Sequence, residues 1–222
     1  MRVAFLHTAD AHVATFDQIF SDLRADAELA HYVDPRLLER AQKDGLSSIR
    51  TDVVSLLKKL STADAVLCTC STLGPLADEA AAFSEKIIRI DRPLMRQACA
   101  DGEKVLVAMC LESTRNATLS LLHACANDAN KRIVPIVVIC RDAWTFFEAG
   151  DLQAYAASIA RSIRSKIEED PDIESIVLAQ ASMRVAESNL KDNGIPVRSS
   201  PEIAARRCLE VARANASSPS KP

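Results

Sequence analysis

Cys70 is the residue of this chain best placed by its neighbours to do chemistry. The apolar run from Ala65 to Cys70 is followed at once by Ser71 and Thr72. A buried strand that leads into a helix start would place the thiol beside free backbone N–H groups and a positive helix dipole, which lower the pKa of a cysteine. The resulting thiolate could remove a proton from carbon or attack an electrophilic carbon.

Two other apolar runs end in hydroxyl residues in the same way. The run Lys104 to Cys110 leads to Ser113 and Thr114, and the run Ile176 to Ala179 leads to residues 180–182. The second of these resembles the segment around Cys70 but contains no cysteine. When the two halves of the chain are matched by their runs, Cys70 falls opposite Ala181.

Hydroxyl side chains and backbone N–H groups at strand ends can hold a small anion, most simply a carboxylate. Taken singly, a hydroxyl residue at a strand end is more often only a helix cap. Three hydroxyl residues at equivalent strand ends, however, favour contact with a ligand. The candidates for substrate binding are Thr8, Ser71, Thr72, Ser113, Thr114, Gln180, Ala181 and Ser182. The candidates to assist Cys70 are His7, Asp10 and His12, although a lone histidine near a turn is usually structural.

Strand and helix patterns alternate along the chain, which predicts an α/β fold with mainly parallel, buried strands flanked by helices. Strands are predicted at Arg2 to His7, Leu29 to Val33, Ala65 to Cys70, Lys86 to Ile90, Lys104 to Cys110, Ile133 to Cys140, Ser175 to Ala179 and Pro196 to Arg198. Helical periodicity is clearest at Ser47 to Leu60, Thr114 to Ala126, Leu152 to Glu168 and Pro201 to Arg213. A tail over residues 216–222, rich in Ser and Pro, is predicted to be disordered.

The order of these elements suggests a duplication. We predict a first α/β half over residues 1–95 plus about 199–215, and a second half over residues 96–198. Two similar halves with facing strand ends would form an active-site cleft between them. The hydroxyl residues and Cys70 would then converge although they are far apart in sequence.

Composition limits the classes of partner. A net charge of −3 gives no electrostatic footprint for nucleic acid, and no apolar run approaches the length of a membrane span. Five glycines form neither a GxGxxG motif nor a P-loop, which argues against nucleotide cofactors. The seven cysteines lack the spacing of a disulfide framework or a metal site, so we predict a cytoplasmic protein with no metal.

Together the motifs resemble those of the aspartate/glutamate/hydantoin racemase superfamily, which includes arylmalonate decarboxylase and maleate isomerase. The motifs that carry the resemblance are Phe5-Leu6-His7-Thr8, Val33-Asp34-Pro35, Cys70-Ser71-Thr72, Ile90-Asp91-Arg92-Pro93, Ser113-Thr114, Ala149-Gly150-Asp151, Val177 to Met183 and Ser199-Ser200-Pro201. They run in order through nearly the whole chain. The resemblance implies two pseudosymmetric α/β halves, a cofactor-free active site between them and a C-terminal helix that returns to the first half.

In this family two cysteines face each other across the α-carbon of the substrate, one removing a proton and the other delivering one. The first family motif falls on Cys70-Ser71-Thr72, and the second falls on Ala179 to Ser182, so that Gln180 occupies the place of the second cysteine. An amide has no accessible protonation near neutral pH and cannot act as an acid or base. Arylmalonate decarboxylase is the family precedent for a single cysteine, which it keeps on the other half.

The sequence therefore favours a cofactor-independent isomerase or lyase that acts on a small carboxylate through Cys70. The alternative is a binding protein that keeps the racemase cleft without turnover. A third hypothesis, a racemase for an unusual substrate, requires a base that replaces the second thiol. The resemblance also implies a homodimer or a higher homo-oligomer as a candidate assembly.

Overall fold

The structure, a computed structural model, describes residues 1–216 and contains eight β-strands and nine α-helices in that range. The strands are β1 (Arg2–His7), β2 (Glu28–Val33), β3 (Ala65–Cys68), β4 (Ile87–Arg89), β5 (Lys104–Met109), β6 (Val134–Ile139), β7 (Ser175–Leu178) and β8 (Val197–Ser199). The helices are α1 (Ala11–Asp22), α2 (Pro35–Asp44), α3 (Arg50–Leu60), α4 (Gly74–Ala81), α5 (Asp91–Asp101), α6 (Arg115–Asp128), α7 (Arg141–Glu148), α8 (Leu152–Glu169) and α9 (Ser200–Ala216). The predicted α/β class is confirmed.

The strands form two four-stranded sheets with the same order. The first sheet runs β2-β1-β3-β4 and the second runs β6-β5-β7-β8, and every pairing within them is parallel. In each sheet, the two strands that come first in the sequence form one half of the sheet, and the two that come last form the other half. This repetition of topology confirms the two pseudosymmetric halves expected from the sequence.

The chain divides into two compact units that each contain one sheet. Unit 1 comprises Met1–Ile90 and the C-terminal segment from Pro201, and unit 2 comprises Asp91–Ser200. Helix α9 therefore belongs almost entirely to unit 1. Of the predicted disordered tail, Ala216 is the last residue of α9, and residues 217–222 lie outside the described residues.

The central strands of both units are more buried than the edge strands β2 and β6. The central strands β1, β3, β5 and β7 are buried from their second residue at the latest, whereas the edge strands β2 and β6 are partly exposed. Parallel strands covered by helices on both faces are apolar throughout, which is why these runs stand out in the sequence. One face of the sheet in unit 1 packs with α2, α3 and α4, and one face of the sheet in unit 2 packs with α8.

The segment after β3 differs from the sequence prediction. The strand ends at Cys68, and two successive turns close with Leu73 N–H on the Cys70 carbonyl and Gly74 N–H on the Ser71 carbonyl. Helix α4 begins only at Gly74, and Pro75 occupies its first turn, where the missing N–H of a proline costs no hydrogen bond. The expectation that Cys70 directly precedes a helix start is therefore wrong.

Candidate functional site

The end of β3 in unit 1 places Cys70 beside the end of β1. Thr69 N–H donates to the Leu6 carbonyl at 3.0 Å and continues the parallel pairing by one residue past the strand. The Cys70 side chain then joins the same apolar cluster as Leu6 and Cys68. The thiol thus lies at the carboxyl edge of a parallel sheet, where open α/β folds bind their ligands.

Four polar groups lie beside the thiol. They are the side chains of Thr8 and Thr72 and the backbone N–H groups of Thr72 and Leu73, and each lowers the pKa of Cys70. Burial raises that pKa by more, so the net shift is upward from the ordinary value of a thiol. The sequence prediction of a lowered pKa is wrong because desolvation outweighs the donors and no helix begins at this residue.

Cys70 nevertheless differs from the other cysteines. Its exposed fraction is 8%, whereas the remaining six are at most 3% exposed. Burial raises the pKa of Cys208 to about 12 with no opposing hydrogen bond, and it raises that of Cys110 to about 12 against one bond from Tyr155. Of these three cysteines, Cys70 has the largest number of neighbouring donors and the largest exposed fraction, although it is itself buried.

His7, Asp10 and His12 do not hydrogen-bond Cys70 in this structure. The His7 Nδ1 atom lies 2.8 Å from the Thr69 hydroxyl, and its Nε2 atom lies 2.8 Å from His31 Nδ1. Burial lowers the pKa of His7 to about 3 and that of His12 to about 4, so both rings are neutral near pH 7. Asp10 is exposed and precedes α1 without capping it through its side chain.

The register of unit 2 identifies the counterpart of Cys70. Leu6 pairs with Cys68 in the first sheet, and Ala108 pairs with Leu178 in the second. The next residue in each unit continues the pairing, with Ala179 N–H donating to the Ala108 carbonyl at 2.9 Å. Two residues after the paired strand position stands Cys70 in unit 1 and Gln180 in unit 2. The structure therefore favours Gln180 over Ala181 as the equivalent residue.

The Gln180 side chain binds backbone rather than projecting freely. Its Oε1 atom accepts hydrogen bonds from Cys110 N–H at 2.5 Å and from Leu111 N–H at 3.2 Å. Cys110 occupies the register position in unit 2 that Thr8 occupies in unit 1, so the same two positions are in contact in both units. These two bonds use the amide carbonyl, and the NH₂ group is the donor of this side chain.

Tyr155, which sequence analysis did not single out, completes the site in unit 2. This fully buried residue of α8 places its hydroxyl 2.9 Å from Ser182 Oγ and 3.5 Å from Cys110 Sγ. Burial raises the pKa of Tyr155, so the phenol stays protonated. The only signal in the sequence was a phenol on the apolar face of a strongly periodic helix, and periodicity alone cannot tell which buried aromatic carries a polar contact.

The remaining predicted residues have varied surroundings. Thr114 is buried and donates its hydroxyl proton to the Leu111 carbonyl at 2.5 Å, whereas Ser113 is exposed. Ser182 lies inside a 3₁₀ helix over Ala181–Ala186. Neither Thr114 nor Ser182 makes a side-chain capping bond, and the N-cap of α4 is Leu73 rather than Ser71.

Within residues 1–216, no group of three or more His, Cys, Asp or Glu side chains is placed to hold a metal ion. In that same range no helix combines the length and the apolar character that crossing a membrane requires.

Several solved structures share the fold of this chain. Glutamate racemase from Thermus thermophilus, in complex with β-chloro-D-alanine, matches with a TM-score of 0.74 and 14% identity over 99% of this chain and 83% of its own. Aspartate racemase from Picrophilus torridus matches with a TM-score of 0.66 and 17% identity over 96% and 94% of the two chains. A glycine-to-cysteine mutant of arylmalonate decarboxylase, in a sulfate-bound form, matches with a TM-score of 0.61 and 14% identity over 96% and 94%.

No protein-family model matches the chain, and no curated protein matches it in sequence. The likeness is therefore one of fold. The structures that share it include racemases and a decarboxylase, which are proteins of the kind that the sequence motifs resemble.

Proposed function

We propose that this protein is a cofactor-independent isomerase or lyase that acts at the α-carbon of a small carboxylate, with Cys70 as its one catalytic thiol. The proposed substrate is an amino acid, a hydantoin or a malonate-like acid. The observation that carries the proposal is the place of Cys70 at the carboxyl edge of the sheet, one residue after Thr69, whose N–H donates to the Leu6 carbonyl, with the donors of Thr8, Thr72 and Leu73 beside its sulfur. The fold supports it, because the structures that share this fold include racemases and a decarboxylase.

The raised pKa of Cys70 determines which role the thiol takes first. Since burial keeps the pKa of this thiol above its ordinary value, the resting group is protonated at neutral pH and is a proton donor. When it gives up the proton, the hydroxyl groups of Thr8 and Thr72 and two backbone N–H groups stabilise the negative sulfur. The site therefore favours protonation of a carbanion over attack by a resting thiolate.

For a malonate-like acid the proposed step is a decarboxylation. The bond between the α-carbon and one carboxylate breaks, carbon dioxide leaves, and the electron pair remains as an enediolate. Cys70 then transfers its S–H proton to the α-carbon, and the thiolate recovers a proton from water. For an amino acid or hydantoin the thiol first gives its proton to water, and the thiolate then removes the α-proton to leave an enolate. The new S–H exchanges its hydrogen with the solvent and returns one to the same face, which exchanges hydrogen without inversion.

Gln180 is the reason for one-sided chemistry in this proposal. It stands at the register position equivalent to Cys70, and its amide neither gains nor loses a proton near neutral pH. Racemisation by two thiols therefore lacks its second group. Donors that hold an enediolate oxygen can still lower the barrier, since preorganised donors are often the largest contribution to catalysis.

Each unit supplies its own proposed substrate contacts. They are Thr8, Ser71 and Thr72 in unit 1, and Ser113, Thr114, Gln180, Ala181 and Ser182 in unit 2. In unit 2 the NH₂ group of Gln180 and the hydroxyl groups of Ser113 and Ser182 are donors, and the Ser182 hydroxyl lies 2.9 Å from that of Tyr155. A carboxylate accepts hydrogen bonds only, so these donors match its chemistry.

The test is incubation in deuterated water with a panel of amino acids, hydantoins and substituted malonates, followed by proton NMR and chiral chromatography. We expect either loss of carbon dioxide with deuterium at the α-carbon, or deuterium exchange without inversion. The Cys70→Ala variant should lose this activity, whereas Cys68→Ala, a thiol deletion two residues earlier in the same segment, should retain it. Equal activity of wild type and Cys70→Ala would refute the role of this thiol.

A further inference from the structure

A cavity of about 520 Å³ opens on the surface of unit 1 between α2 and α3. This volume falls in the range that small-molecule sites in proteins occupy. Every residue that lines the cavity belongs to unit 1, and none of them is a proposed substrate contact. The cavity is therefore a candidate for a second binding site, separate from the one around Cys70.

The two helices form the walls because each turns one polar face towards the cavity. Arg36 and Arg40, four residues apart, lie on one face of α2, and Thr51, Ser55 and Lys59 lie at the same spacing on one face of α3. Other side chains of both helices pack into the apolar core of the unit. The core thus holds the two polar faces in place on either side of the cavity.

The lining also has an apolar part. Tyr32 of β2 pairs in register with Leu6, so its side chain lies on the face of the sheet that packs with α2 and α3. Tyr32 is 40% exposed, and the buried Leu37 and the partly buried Leu56 line the same cavity. One accessible aromatic ring and two leucines offer a surface for the apolar body of a ligand.

Three cations and two carboxylates line the cavity, which leaves one net positive charge. The Asp34 carboxylate accepts from Arg36 Nε at 2.9 Å and from Arg36 Nη2 at 3.0 Å, and this pairing lowers the pKa of Asp34. Arg40 Nη1 donates to Asp52 at 2.8 Å. Among residues 1–216, none forms a hydrogen bond or an ion pair with the Lys59 ammonium. Lys59 therefore carries the charge that no carboxylate balances.

The two guanidinium groups keep N–H donors for a ligand. Of the five N–H groups of a guanidinium, Arg36 uses two on Asp34, and Arg40 uses one on Asp52 and one on the Ser48 carbonyl at 2.9 Å. The pair of Arg40 and Asp52 is exposed, so a change of partner costs little free energy. Donors in excess of acceptors match a group that only accepts, such as a carboxylate.

We propose that this cavity binds a small organic monoanion that consists of a carboxylate and an apolar body. The carboxylate lies among the N–H donors of the three cations, and the body lies against Tyr32 and the two leucines. A second negative charge on the ligand is disfavoured, because the two aspartates of the lining repel it. The proposal is independent of the role of Cys70.

Titration of the full-length protein with 3-phenylpropionate, which joins one carboxylate to an apolar ring, tests the proposal. Nitrogen-15 NMR should show saturable shifts of the backbone amides of residues 32–40 and 51–59, with a Kd on the order of 1 mM for a ligand of about a dozen heavy atoms. Two control compounds are 3-phenylpropan-1-ol, which lacks the charge, and acetate, which lacks the ring. Each should bind at least roughly 5-fold more weakly.

Three variants test the assigned charges. Lys59→Gln removes the unbalanced cation and should weaken binding of 3-phenylpropionate roughly 3- to 10-fold. Lys58→Gln is the matched control, because this neighbouring lysine of α3 lies over the Phe83 ring and does not line the cavity. It should leave the affinity unchanged. Asp52→Asn removes a negative charge, so phenyl phosphate, which is largely a dianion near neutral pH, should bind this variant more tightly than the wild type.

The proposal is overturned if the amides of α2 and α3 do not shift, or if Lys59→Gln binds 3-phenylpropionate as tightly as the wild type. An equal loss of affinity in Lys58→Gln, or equal binding of the alcohol, would also overturn it. Cys70→Ala keeps every residue of the cavity and should bind the probe with wild-type affinity. A protein that binds the probe here but turns over no substrate would refute the proposed function and leave this site intact.

Discussion

Cys70 and Gln180 stand at the same register position of two sheets that have the same strand order. In each unit this residue contacts the position that follows the first central strand by one residue, Thr8 in unit 1 and Cys110 in unit 2. One unit therefore offers an ionisable group where the other offers an amide. Under the proposed function, this pair of residues decides whether the reaction is one-sided or two-sided.

The first prediction concerns Gln180→Cys. It places a second thiol at the position equivalent to Cys70, and we expect racemisation of an amino acid or hydantoin that the wild type exchanges without inversion. General acid–base groups contribute roughly 100-fold or more, so the rate of inversion should rise by about that factor. Chiral chromatography of the product in deuterated water measures it.

Ala181→Cys is the matched control for that substitution, because it adds a thiol at the neighbouring residue out of register. It should not produce inversion. If both variants exchange hydrogen with retention of configuration, a thiol at the register position of Gln180 does not act as the second acid or base. If Ala181→Cys alone produces inversion, the other way of matching the two halves is the correct one.

The second prediction concerns the donor from β1 to the thiol. The Thr8 side chain makes a hydrogen bond that lowers the pKa of Cys70. Thr8→Val keeps the shape of the side chain and removes the donor, so the pKa of Cys70 should rise and its alkylation at neutral pH should slow. The midpoint of the alkylation rate against pH measures the shift. Thr62→Val, at an exposed threonine of the same unit, should leave that midpoint in place.

Much of the fold could be predicted because the central strands are buried on both faces. Eight strands occur where apolar runs predicted them. Their ends are displaced by at most two residues, since parallel strands covered by helices show no alternation that would mark a boundary. The start of α4 was missed because Ser71 and Thr72 carry the composition of a helix cap. Pro75 fixes the true first turn three residues later.

The site was harder to predict because its contacts join distant residues. The residues next to Cys70 in the sequence predict its place at the end of a strand. Its raised pKa results from burial in the folded protein, which no sequence motif indicates. His31 lies on an edge strand and Tyr155 on a helix, and neither belongs to a motif that marks chemistry. Their polar contacts join residues that are far apart in the sequence, so only the three-dimensional structure reveals them.

The third prediction concerns Gly74, the first residue of α4. The backbone of Gly74 has no left-handed conformation, so alanine would ordinarily stabilise this position by up to about 1 kcal/mol. A β-carbon here would lie 2.5 Å from Cζ of Arg89, a buried guanidinium held 2.8 Å from Asp78. The Arg89 side chain would have to leave that pairing, and breaking one partner of a largely buried ion pair is costly.

We therefore expect Gly74→Ala to lower the free energy of unfolding by about 1–3 kcal/mol, measured by urea denaturation. A double-mutant cycle with Arg89→Ala provides the control. In the Arg89→Ala background the added methyl group meets no guanidinium, so Gly74→Ala should be neutral or stabilising there. The same loss in both backgrounds would show that the close approach of Arg89 is not the cause.

The fourth prediction concerns stability in acid. Burial lowers the pKa of His7 to about 3 and that of His12 to about 4, from 6.5 in the unfolded chain. Between these values the unfolded chain binds more protons than the folded one. The contribution of the two neutral histidines to the free energy of unfolding is therefore complete above pH 6.5. It is lost as the pH drops towards 4, by up to about 1.4 kcal/mol per pH unit for each histidine.

Urea denaturation midpoints at several pH values across that window measure the slope. His12→Gln removes one of the two histidines that take up a proton on unfolding, so it should reduce the slope of the free energy of unfolding against pH. His123→Gln, at an exposed histidine of α6, should leave that slope unchanged. Carboxyl groups whose pKa is lowered by an ion pair, such as Asp34, lose their stabilising effect only at lower pH and do not obscure the difference. Equal slopes for wild type and His12→Gln would mean that His12 titrates alike in the folded and unfolded chains.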